Sequence, residues 1–410
     1  MEFDLALPGD GTPGGVRLSG WSKTFCPRIV PGRQTSAGWP TLVSSGVIVG
    51  VPVERKTAEQ RVGMTPDGVR ELAAHGHRVL VERGAGEGSS ITDSDFELAG
   101  AQIVGTEDAW SAGLVVKVKE PQPEELAFLR PDLVLFAYLH LAAYPEVANA
   151  LLGAGTTSFA YETVRSPDGA LPLLAPMSEV AGRMAPQIGA HFLERPHGGR
   201  GVLLGGAPGV RPARVVVIGA GNVGWNAAWI AQGMEAEVIL LDRDIDRLRW
   251  VDQIHRGRIM TLTSNRGAIA RALPEADLLI GAVLVAGERA PVVVSEDMVR
   301  AMKPGAVVVD VAIDQGGCIA TSHETTHEDP VYEAHGIVHY AVGNIPGAVP
   351  HTSTYALTNA TLPFVVTLAQ EGPACARDGH PLMGGLTTIS GEIANPAVAH
   401  ALGRPLSGLP

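Results

Sequence analysis

Closely spaced glycines follow a β-branched run near the middle of the chain. Residues 213–218 read Ala-Arg-Val-Val-Val-Ile, and the sequence continues as Gly219-Ala220-Gly221-Asn222-Val223-Gly224. Such a run is typical of a strand buried on both faces of a parallel sheet. The first glycine allows a tight turn, the second lets the backbone approach a pyrophosphate, and the third lets the next helix pack against the strand. The spacing predicts a phosphate site at a helix N-terminus.

An acidic residue stands where a dinucleotide site needs one. The next predicted strand, residues 237–241, ends at Asp242, about 20 residues beyond the glycines, where a carboxylate can hold a ribose 2′-hydroxyl. A glycine turn in an ordinary α/β domain is the alternative, but the spacing and the flanking strands favour dinucleotide binding. We expect NAD as the cofactor, because Asp242 would repel a 2′-phosphate. The adjacent Arg243 would instead attract one.

Three further polar residues follow predicted strands: Lys119, His140 and Asp314. Ligands of open α/β sheets bind at the carboxyl ends of strands, and a nicotinamide enzyme needs groups that fix the substrate and move protons. Each residue also has a structural interpretation. Lys119 could be a solvated strand end, His140 a hydrogen-bonded imidazole at the core edge, and Asp314 a turn former. The pattern alone leaves both interpretations open.

Strands and helices alternate along most of the chain, which is typical of βαβ units and parallel sheets. Thr65 is the predicted N-cap of a helix that begins at Pro66, and Ser178 that of a long helix crossing between domains. We predict an α/β fold of two Rossmann-like doubly wound domains, with the active-site cleft between them. The second sheet should have about six strands. The predicted strands lie at 47–51, 78–81, 114–118, 133–136, 157–160, 237–241, 259–263, 278–283, 306–311 and 337–341, with helical stretches near 123–129 and 145–152.

The predicted domains divide the chain unevenly. Residues 1–46 contain Pro and Gly without period and no spaced apolar residues, which indicates a disordered N-terminal extension. Residues 173–350 form the predicted NAD-binding domain. The segment 351–410 is helical in composition and is expected to return to the first domain. The catalytic domain would then be discontinuous, comprising residues 47–172 and 351–410.

Charge and cysteine content exclude several classes of protein. A net charge of −12 argues against nucleic acid or an anionic membrane surface as the main partner. The three cysteines, Cys26, Cys318 and Cys375, have neither metal-ligand spacing nor a disulfide pattern, which fits a reducing cytoplasm. The uncharged run 215–234 is rich in glycine and amides, so it favours a nucleotide fold over a membrane span.

One apparent metal motif is better explained as a loop. His323-Glu324-Thr-Thr-His327 matches the zinc pattern that requires both histidines on one helical face. The two threonines disfavour a helix, and Asp329-Pro330 would end one at once. We therefore predict a surface loop there and no bound metal.

Longer motifs cover most of the chain. They are Gln60-Arg61-Val with Thr65-Pro66-Asp-Gly-Val, Gly84-Ala-Gly-Glu-Gly88, Lys117-Val-Lys-Glu-Pro121, Tyr138-Leu-His-Leu-Ala, Ala160-Tyr-Glu-Thr-Val164, Leu173-Leu-Ala-Pro-Met-Ser-Glu-Val-Ala-Gly182, Gly198-Gly-Arg-Gly-Val-Leu-Leu-Gly-Gly, Val309-Asp-Val-Ala-Ile-Asp-Gln-Gly-Gly317 and Thr352-Ser-Thr-Tyr-Ala-Leu-Thr-Asn-Ala360. From about Val47 to about residue 400 the chain resembles the alanine dehydrogenase family, which includes the soluble subunit of proton-translocating transhydrogenase. Residues 1–46 have no expected counterpart in that family. The usual Cys-Val-Ala-Asn-Met-Pro reads Ala341-Val-Gly-Asn344-Ile-Pro here.

The resemblance implies a function and residue roles. It implies reversible oxidative deamination of L-alanine by NAD to pyruvate and ammonia, by a cytoplasmic homohexamer without a metal. Arg61 would pair with the substrate carboxylate. Lys119 would hold and polarise the carbonyl or amino end, His140 would shuttle protons, and Asp314 would lie by the substrate and the nicotinamide ribose. The implied dinucleotide contacts are Ser178, Gly219, Gly221, Asn222, Val223, Gly224, Asp242, Arg247, Ser264, Val283, Leu284, Val311, Ile313, Asp314 and Asn344.

Two other classes of function remain as alternatives. The chain could be a nucleotide-binding subunit that docks on a membrane transhydrogenase, or a binding protein that holds NAD without turnover. The presence of Arg61, Lys119 and His140 together favours the enzyme over both. Formation of NADH from alanine by the purified chain alone distinguishes it from either alternative.

Overall fold

The computed structural model describes residues 46–283 and 290–407. Fifteen strands occur in this part of the chain, in the order β1 Ile48–Val51, β2 Arg78–Glu82, β3 Gln102–Val104, β4 Leu114–Val116, β5 Val134–Ala137, β6 Thr157–Ala160, β7 Arg214–Ile218, β8 Glu237–Asp242, β9 Met260–Thr263, β10 Leu278–Gly281, β11 Val307–Asp310, β12 Val331–Ala334, β13 Ile337–Tyr340, β14 Leu386–Ile389 and β15 Glu392–Ile393. The predicted extension 1–46 lies outside the described residues except for its last residue, Gly46.

The same part of the chain forms twelve α-helices. These are α1 Pro66–Ala74, α2 Asp93–Ala99, α3 Thr106–Trp110, α4 Pro145–Ala154, α5 Ala175–Phe192, α6 Asn222–Gly233, α7 Ile245–His255, α8 Arg266–Ala272, α9 Glu296–Arg300, α10 Pro350–Glu371, α11 Pro381–Gly385 and α12 Pro396–Leu402. The stretch predicted as helical near 123–129 is a 3₁₀ helix, Pro123–Phe128. Among the described residues no helix is both long and apolar enough to cross a membrane.

The strands form two sheets, each mainly parallel. The first has the order β15-β14-β6-β5-β4-β1-β2-β3, and β1 to β6 pair in parallel while β14 and β15 are antiparallel. The second has the order β12-β13-β11-β10-β7-β8-β9, with only β12 antiparallel. It therefore has seven strands instead of the predicted six, because β12 adds to its edge. Parallel neighbours require crossovers, which the helices supply.

The C-terminal segment packs with the first sheet. The side chains of Leu357, Val365 and Leu368 on α10 are buried in the same hydrophobic cluster as Val49 and Phe136 of β1 and β5. Strand β14 then pairs with β6. Strands from the beginning and end of the described chain thus form one sheet.

The long helix α5 contacts both hydrophobic cores. Met177 packs against the core of the first sheet, whereas Ala181 and Ala185 belong to that of the second. The prediction that Ser178 is its N-cap is wrong. The helix begins at Ala175, and the amide of Ser178 already donates to the carbonyl oxygen of Leu174 at 3.2 Å. Pro176, whose φ suits the first helical turn, accounts for the earlier start.

Carboxylates bind the backbone that follows two central strands, and β4 ends earlier than its predicted range of 114–118. Strand β4 stops at Val116 because the amides of Val118 and Lys119 donate to the carboxylate of Glu54, at 2.6 and 3.2 Å. Beyond β5, the amide of His140 similarly donates to Glu162, at 2.7 Å. The two backbone segments that carry Lys119 and His140 are thus each held by a glutamate that follows another strand of the same sheet.

Lys117, which directly follows β4, forms a buried ion cluster with Glu54 and Glu125. The Nζ of Lys117 is 2.8 Å from Oε1 of Glu125 and 3.3 Å from Oε2 of Glu54, and all three side chains are buried. Burial alone would lower the pKa of Lys117, but the charges of Glu54 and Glu125 more than offset it and raise the pKa. The cluster fixes Glu54, which in turn holds the backbone of Lys119.

Replacing Lys117 by methionine should destabilise the protein strongly. The substitution keeps the shape of the side chain but leaves two carboxylates buried without a cation, at a cost of about 3–5 kcal/mol. We expect the melting temperature to fall by roughly 10 °C. Arg249→Gln is the matched control, because the ion pair between Arg249 and Asp246 is exposed and should contribute little. Equal melting temperatures for both variants would contradict the proposed importance of the cluster.

Candidate active site

The glycine turn between β7 and α6 has the geometry of a phosphate site. Gly219 has a φ of 104°, and a Cβ there would lie 2.4 Å from the carbonyl oxygen of Ala282. A Cβ on Gly224 would lie 1.7 Å from the carbonyl oxygen of Gly219, so α6 packs directly on the turn. At Gly221 the nearest atom to such a Cβ is Nη1 of Arg247, at 3.8 Å. The N-terminus of α6 is therefore open, and phosphate binding there stays a prediction.

Asp242, the last residue of β8, binds the backbone of the glycine turn. One carboxylate oxygen accepts a hydrogen bond from the amide of Ala220, and the other accepts from the amide of Asp244 at 2.8 Å. The amide of Ser264 donates to the backbone oxygen of Asp242 at 2.8 Å. Each carboxylate oxygen has a second lone pair for a ribose hydroxyl. The predicted residues Asp242, Arg247 and Ser264 thus lie around the glycine turn.

The remaining predicted dinucleotide contacts lie on neighbouring segments. The amide of Val283 is 3.2 Å from the position of a Cβ on Gly219, and the amide of Val311 donates to the carbonyl oxygen of Gly281 at 2.9 Å. Ile313 is buried in the 3₁₀ turn that also contains Asp314. Asn222 and Val223 form the first turn of α6. Leu284 lies outside the described residues.

A polar network joins the ends of the two sheets through Arg61. Its Nε donates to Oε1 of Glu59 at 2.6 Å, and its Nη2 donates to Oδ1 of Asn344 at 3.0 Å. The amide of Asn344 donates to Oδ1 of Asp314 at 3.1 Å. Asn344 follows β13 and has a φ of 58°, and its carbonyl oxygen lies 3.2 Å from Nε2 of His327. The network brings residues from loops of both sheets into one site.

Burial makes the charges of this network strong. Glu59 and Arg61 are almost fully buried and form a two-point ion pair. Burial would raise the pKa of Glu59, but its hydrogen bond to Arg61 and the positive charge of that residue lower it overall. The Nη1 edge of Arg61 faces the sulfur of Met177 at 3.0 Å, which is a weak acceptor. This edge is therefore the part of the guanidinium with donor capacity left for an anion.

Lys119 adds a partly buried positive charge to the site. Its Nζ donates no hydrogen bond and forms no ion pair within residues 46–283 and 290–407. Burial, and next the charge of Arg61, lower the pKa of Lys119. An ammonium that loses part of its hydration is less stable unless a partner pairs with it. Such a group, with a shifted pKa at the end of a strand, is a candidate for substrate binding.

His140 stands beside these charges with its side chain half exposed. Its backbone φ of 45° is unusual for a residue with a side chain, and Glu162 holds the backbone there by accepting from its amide. Burial lowers the pKa of His140, and Glu162, Lys119, Glu120 and Lys56 also act on it. A neutral imidazole at neutral pH can accept a proton.

The structure links the predicted substrate residues in a chain of contacts and charges. Arg61 connects to Asp314 through Asn344, and Lys119 interacts electrostatically with both Arg61 and His140. Because both residues follow strands of different predicted domains, the sequence also suggests that His140 and Asp314 form a catalytic pair over the nicotinamide. They have no direct hydrogen bond among the described residues, and the catalytic pair stays a prediction. Ser178, in the first turns of α5, follows Met177, which contacts Arg61.

Four acidic residues that support the site were missed from sequence: Glu54, Glu59, Glu120 and Glu162. Glu54 and Glu162 bind the backbones of Lys119 and His140, and Glu59 pairs with Arg61. Their partners lie far along the chain except for Arg61, two residues from Glu59. The spacing Glu59-Gln-Arg61 is the one local pattern from which an ion pair between the two charged side chains could have been predicted.

The histidines of the apparent zinc motif lie in a loop between β11 and β12. The ring of His323 stacks on Tyr332 with centroids 3.6 Å apart, and His327 contacts the backbone of Asn344. The amide of Thr325 donates to the carbonyl oxygen of Ala341 at 2.9 Å. This extended segment lies along the end of β13, so the prediction of a loop is confirmed.

Comparison with known proteins gives a consistent result. The family description "Alanine dehydrogenase/PNT, N-terminal domain" matches residues 50–181, and "Alanine dehydrogenase/PNT, C-terminal domain" matches residues 185–396. Alanine dehydrogenase of Bacillus subtilis (strain 168) is 55% identical over 360 residues, which cover 87% of this chain and 95% of the relative. Alanine dehydrogenase of Mycobacterium tuberculosis (strain CDC 1551 / Oshkosh) is 56% identical over 362 residues, covering 88% and 98%.

Solved structures agree with the sequence relatives. An L-alanine dehydrogenase structure superposes with a TM-score of 0.85 at 49% identity, covering 87% of this chain and 99% of its own. A transhydrogenase from Sinorhizobium meliloti superposes with a TM-score of 0.74 at 26% identity, covering 85% and 99%. Together the two family matches cover nearly all strands of both sheets and the residues of the site at their ends. The chain belongs to the alanine dehydrogenase/PNT family.

Proposed function

We propose that this protein is an NAD-dependent L-alanine dehydrogenase. It interconverts L-alanine, water and NAD⁺ with pyruvate, ammonium, NADH and a proton. The observation that carries the proposal is the ammonium of Lys119, which is partly exposed, has no hydrogen-bond partner within residues 46–283 and 290–407, and interacts electrostatically with both Arg61 and His140. With Glu59 and Arg61 neutralising each other, the ammonium of Lys119 is the charge in the site that can attract a small carboxylate. The relatives at 55–56% identity carry the same activity in their names.

The residues around the glycine turn fit NAD. Gly221 leaves open space before the N-terminus of α6, where a Cβ would approach only the flexible tip of Arg247. The amides of that helix terminus can bind the pyrophosphate, and Asp242 can accept from a ribose hydroxyl. When bound, the nicotinamide accepts the hydride from Cα of the amino acid or returns it. Val283, Val311, Ile313, Asp314 and Asn344 are the proposed contacts on the nicotinamide side.

Arg61 and Lys119 hold the substrate. The Nη1 edge of Arg61 donates to the carboxylate of alanine or pyruvate. Lys119 donates to the second carboxylate oxygen or to the carbonyl oxygen of pyruvate, and in the latter case it makes the carbonyl carbon more electrophilic. Neither contact requires a metal ion. Glu59 keeps Arg61 in place, because its two hydrogen bonds set the plane of the guanidinium.

His140 moves the protons of the reaction. Loss of hydride from Cα leaves an imine, and water then adds to its carbon. His140 accepts the proton of that water as the C–O bond forms, and it returns a proton to nitrogen as the carbinolamine C–N bond breaks. The lowered pKa of His140 provides the neutral base for the first step. Asp314, held by the amide of Asn344, borders the site from the second sheet.

The domain division and assembly are also proposed. Residues 47–172 with 351–410 form the catalytic domain and residues 173–350 the NAD-binding domain, a division supported by the separate hydrophobic cores. We propose a cytoplasmic homohexamer. Exposed apolar side chains on the second domain support association, since patches of this kind commonly mark interfaces. They are Leu203, Val210, Trp229, Trp250 and Ile254.

Replacing His140 by alanine should abolish most turnover without loss of cofactor binding. We expect kcat to fall by roughly 10²-fold or more, as when a general acid–base is removed. NADH binding, followed by fluorescence titration, should be unchanged. The assay is NADH formation from L-alanine, with thermal melting to check folding.

The matched control is His400→Ala, because His400 lies exposed on α12 outside the site. The kcat of this variant should stay within roughly twofold of that of the unaltered protein, because surface substitutions away from the site have small effects. Near-normal kcat in the His140 variant would return that residue to a structural role.

Replacing Asp242 by alanine should weaken the preference for NAD over NADP. The substitution removes a negative charge that would face a 2′-phosphate, and it leaves Arg243 in place. We expect the ratio of kcat/KM for the two cofactors to change by roughly tenfold, about 1.4 kcal/mol. Asp246→Ala, a change at an exposed residue of the following helix, should leave the ratio unaltered. A preference for NADP in the unaltered protein would overturn the assignment of Asp242.

A further inference from the structure

The carboxylate of Glu120 faces His140 with one oxygen unused. Glu120 is 2% exposed, and its Oε1 accepts from Nζ of Lys56 at 2.6 Å and Nε2 of Gln122 at 3.3 Å. Its Oε2 lies 4.0 Å from Nδ1 of His140. Neither of these two buried atoms has a hydrogen-bond partner within the described residues. Buried polar atoms without partners are uncommon and costly.

A small movement of either side chain would join the two atoms. The gap exceeds a hydrogen bond by about 1 Å. The backbone of His140 is fixed by Glu162, and Lys56 holds Glu120 from the other side. Lys56 is itself anchored by the hydroxyl of Tyr144 at 3.0 Å. Catalytic hydrogen bonds that are long in a free enzyme commonly tighten when the substrate binds.

We propose that Glu120 is the positioning residue for His140. Its Oε2 accepts a hydrogen bond from Nδ1–H of the imidazole. The neutral ring then carries its proton on Nδ1 and presents the lone pair of Nε2 to the substrate. The carboxylate also stabilises the imidazolium that forms when Nε2 takes a proton, as in other carboxylate–histidine pairs. This role rests on the proposed function of His140.

The charges around His140 predict opposite effects of two substitutions. After burial, which lowers the pKa of His140, the carboxylates Glu162 and Glu120 raise it and the ammonium groups of Lys119 and Lys56 lower it. Removing the charge of Glu120 should therefore lower the pKa of His140 further. Removing the charge of Lys56 should raise it, because the carboxylate of Glu120 then acts on the imidazole alone.

The test compares Glu120→Gln and Lys56→Met with the unaltered protein. The rate of modification of His140 by diethyl pyrocarbonate, which reacts with neutral imidazole, is followed against pH by mass spectrometry of its peptide. We expect the midpoint to fall by roughly one pH unit in Glu120→Gln and to rise in Lys56→Met. The acid limb of kcat/KM should move in the same directions, with kcat reduced in Glu120→Gln. Thermal melting checks that both variants are folded at the assay temperature.

The modification assay needs no turnover, so it separates the two proposals. Absence of alanine-dependent NADH formation in the unaltered protein would overturn the proposed function, whatever the modification midpoints. An unchanged midpoint in Glu120→Gln would overturn the pairing of Glu120 with His140. A midpoint that moves in the same direction in both variants would also overturn it, since a general disturbance of the site would then explain the shifts.

A second, independent cluster lies at the far end of α5. His191, Glu194 and His197 each offer one ligand atom, and these atoms lie within 4.8 Å of one another. The ring centroids of the two histidines are 3.9 Å apart, and Nε2 of His197 is 3.7 Å from Oε2 of Glu194. Within residues 46–283 and 290–407 this is the one such group of three.

The backbone brings the three side chains together. Here α5 ends and the 3₁₀ helix Arg195–His197 begins. The amide of Glu194 donates to the backbone carbonyl oxygen of His191 at 3.2 Å, and the amide of His197 donates to the backbone carbonyl oxygen of Glu194 at 3.1 Å. Glu194 is the extended N-cap residue between the two helices, so the chain turns at the carboxylate that lies between the two histidines in sequence. Pro196 restricts the turn, and Phe192 packs edge-on against the ring of His191.

We infer that this cluster binds one divalent transition-metal ion such as Zn²⁺. Two imidazoles and a carboxylate are a set of ligands that suits zinc, with a fourth position left for water. The C-terminal end of α5 adds favourable negative potential. The site lies outside the proposed catalytic residues, so its occupancy does not depend on the proposed function.

Calorimetric titration with ZnCl₂ of the untagged, chelator-treated protein tests the site. We expect one ion per chain, bound at least roughly tenfold more weakly by His197→Gln. His75→Gln is the matched control, because His75 faces Glu71 at 3.6 Å as a pair without a third ligand, and it should bind as the unaltered protein does. Equal affinities in all three proteins, or no binding to the unaltered protein, would overturn the inference.

Discussion

The site depends on one buried ion pair, that of Arg61 with Glu59. An arginine with this little exposure must be paired, because a lone buried charge is costly. Here the pair is extended by Asn344, which binds both side chains and whose amide binds Asp314. Since Asn344 and Asp314 follow strands of the second sheet, the pair also ties the carboxyl ends of the two sheets together. The geometry of the substrate position and that of the cofactor position are therefore coupled.

Carboxylates organise the rest of the site in the same manner. Glu54 binds the amides that follow β4, and Glu162 binds those that follow β5. In each case an acidic side chain satisfies backbone donors that have left the sheet. The cost of burying Glu54 is reduced by Lys117, which lies between it and Glu125. Thus the side chains of Lys119 and His140 project from backbone segments that are fixed at several points.

The balance of charge explains how one site can bind an acid and also move protons. Arg61 and Glu59 neutralise each other, which leaves Lys119 as the charge that an incoming carboxylate meets. Burial lowers the pKa of His140, and the charge of Lys119 lowers it further. The carboxylates of Glu162 and Glu120 oppose that effect by raising the pKa of His140. Substrate affinity and imidazole basicity are thus set by overlapping groups, so a change in one is expected to alter the other.

The sequence by itself determined the parallel α/β architecture, the glycine turn and its acidic partner. These depend on short-range patterns: β-branched runs buried on both faces, glycines at fixed spacing, and a helix cap at Thr65. It also indicated Lys119, His140 and Asp314, because each follows a strand. Local pattern was less reliable at element ends. It placed the start of α5 at Ser178, and it extended β4 to Val118, whose amide in fact binds Glu54.

Only the tertiary structure decided how the acidic residues are used. Glu120 and Glu162 lie within motifs that cover the chain, but neither they nor Glu54 has a local pattern that indicates its partner, since a glutamate is usually a solvated surface residue. Their roles arise from partners tens of residues away, such as Val118 for Glu54 and His140 for Glu162. The pairing of Arg61 with Asn344 spans 283 residues and two sheets. Such contacts follow from how the strands are ordered and how the sheets meet, which spacing along the chain does not encode.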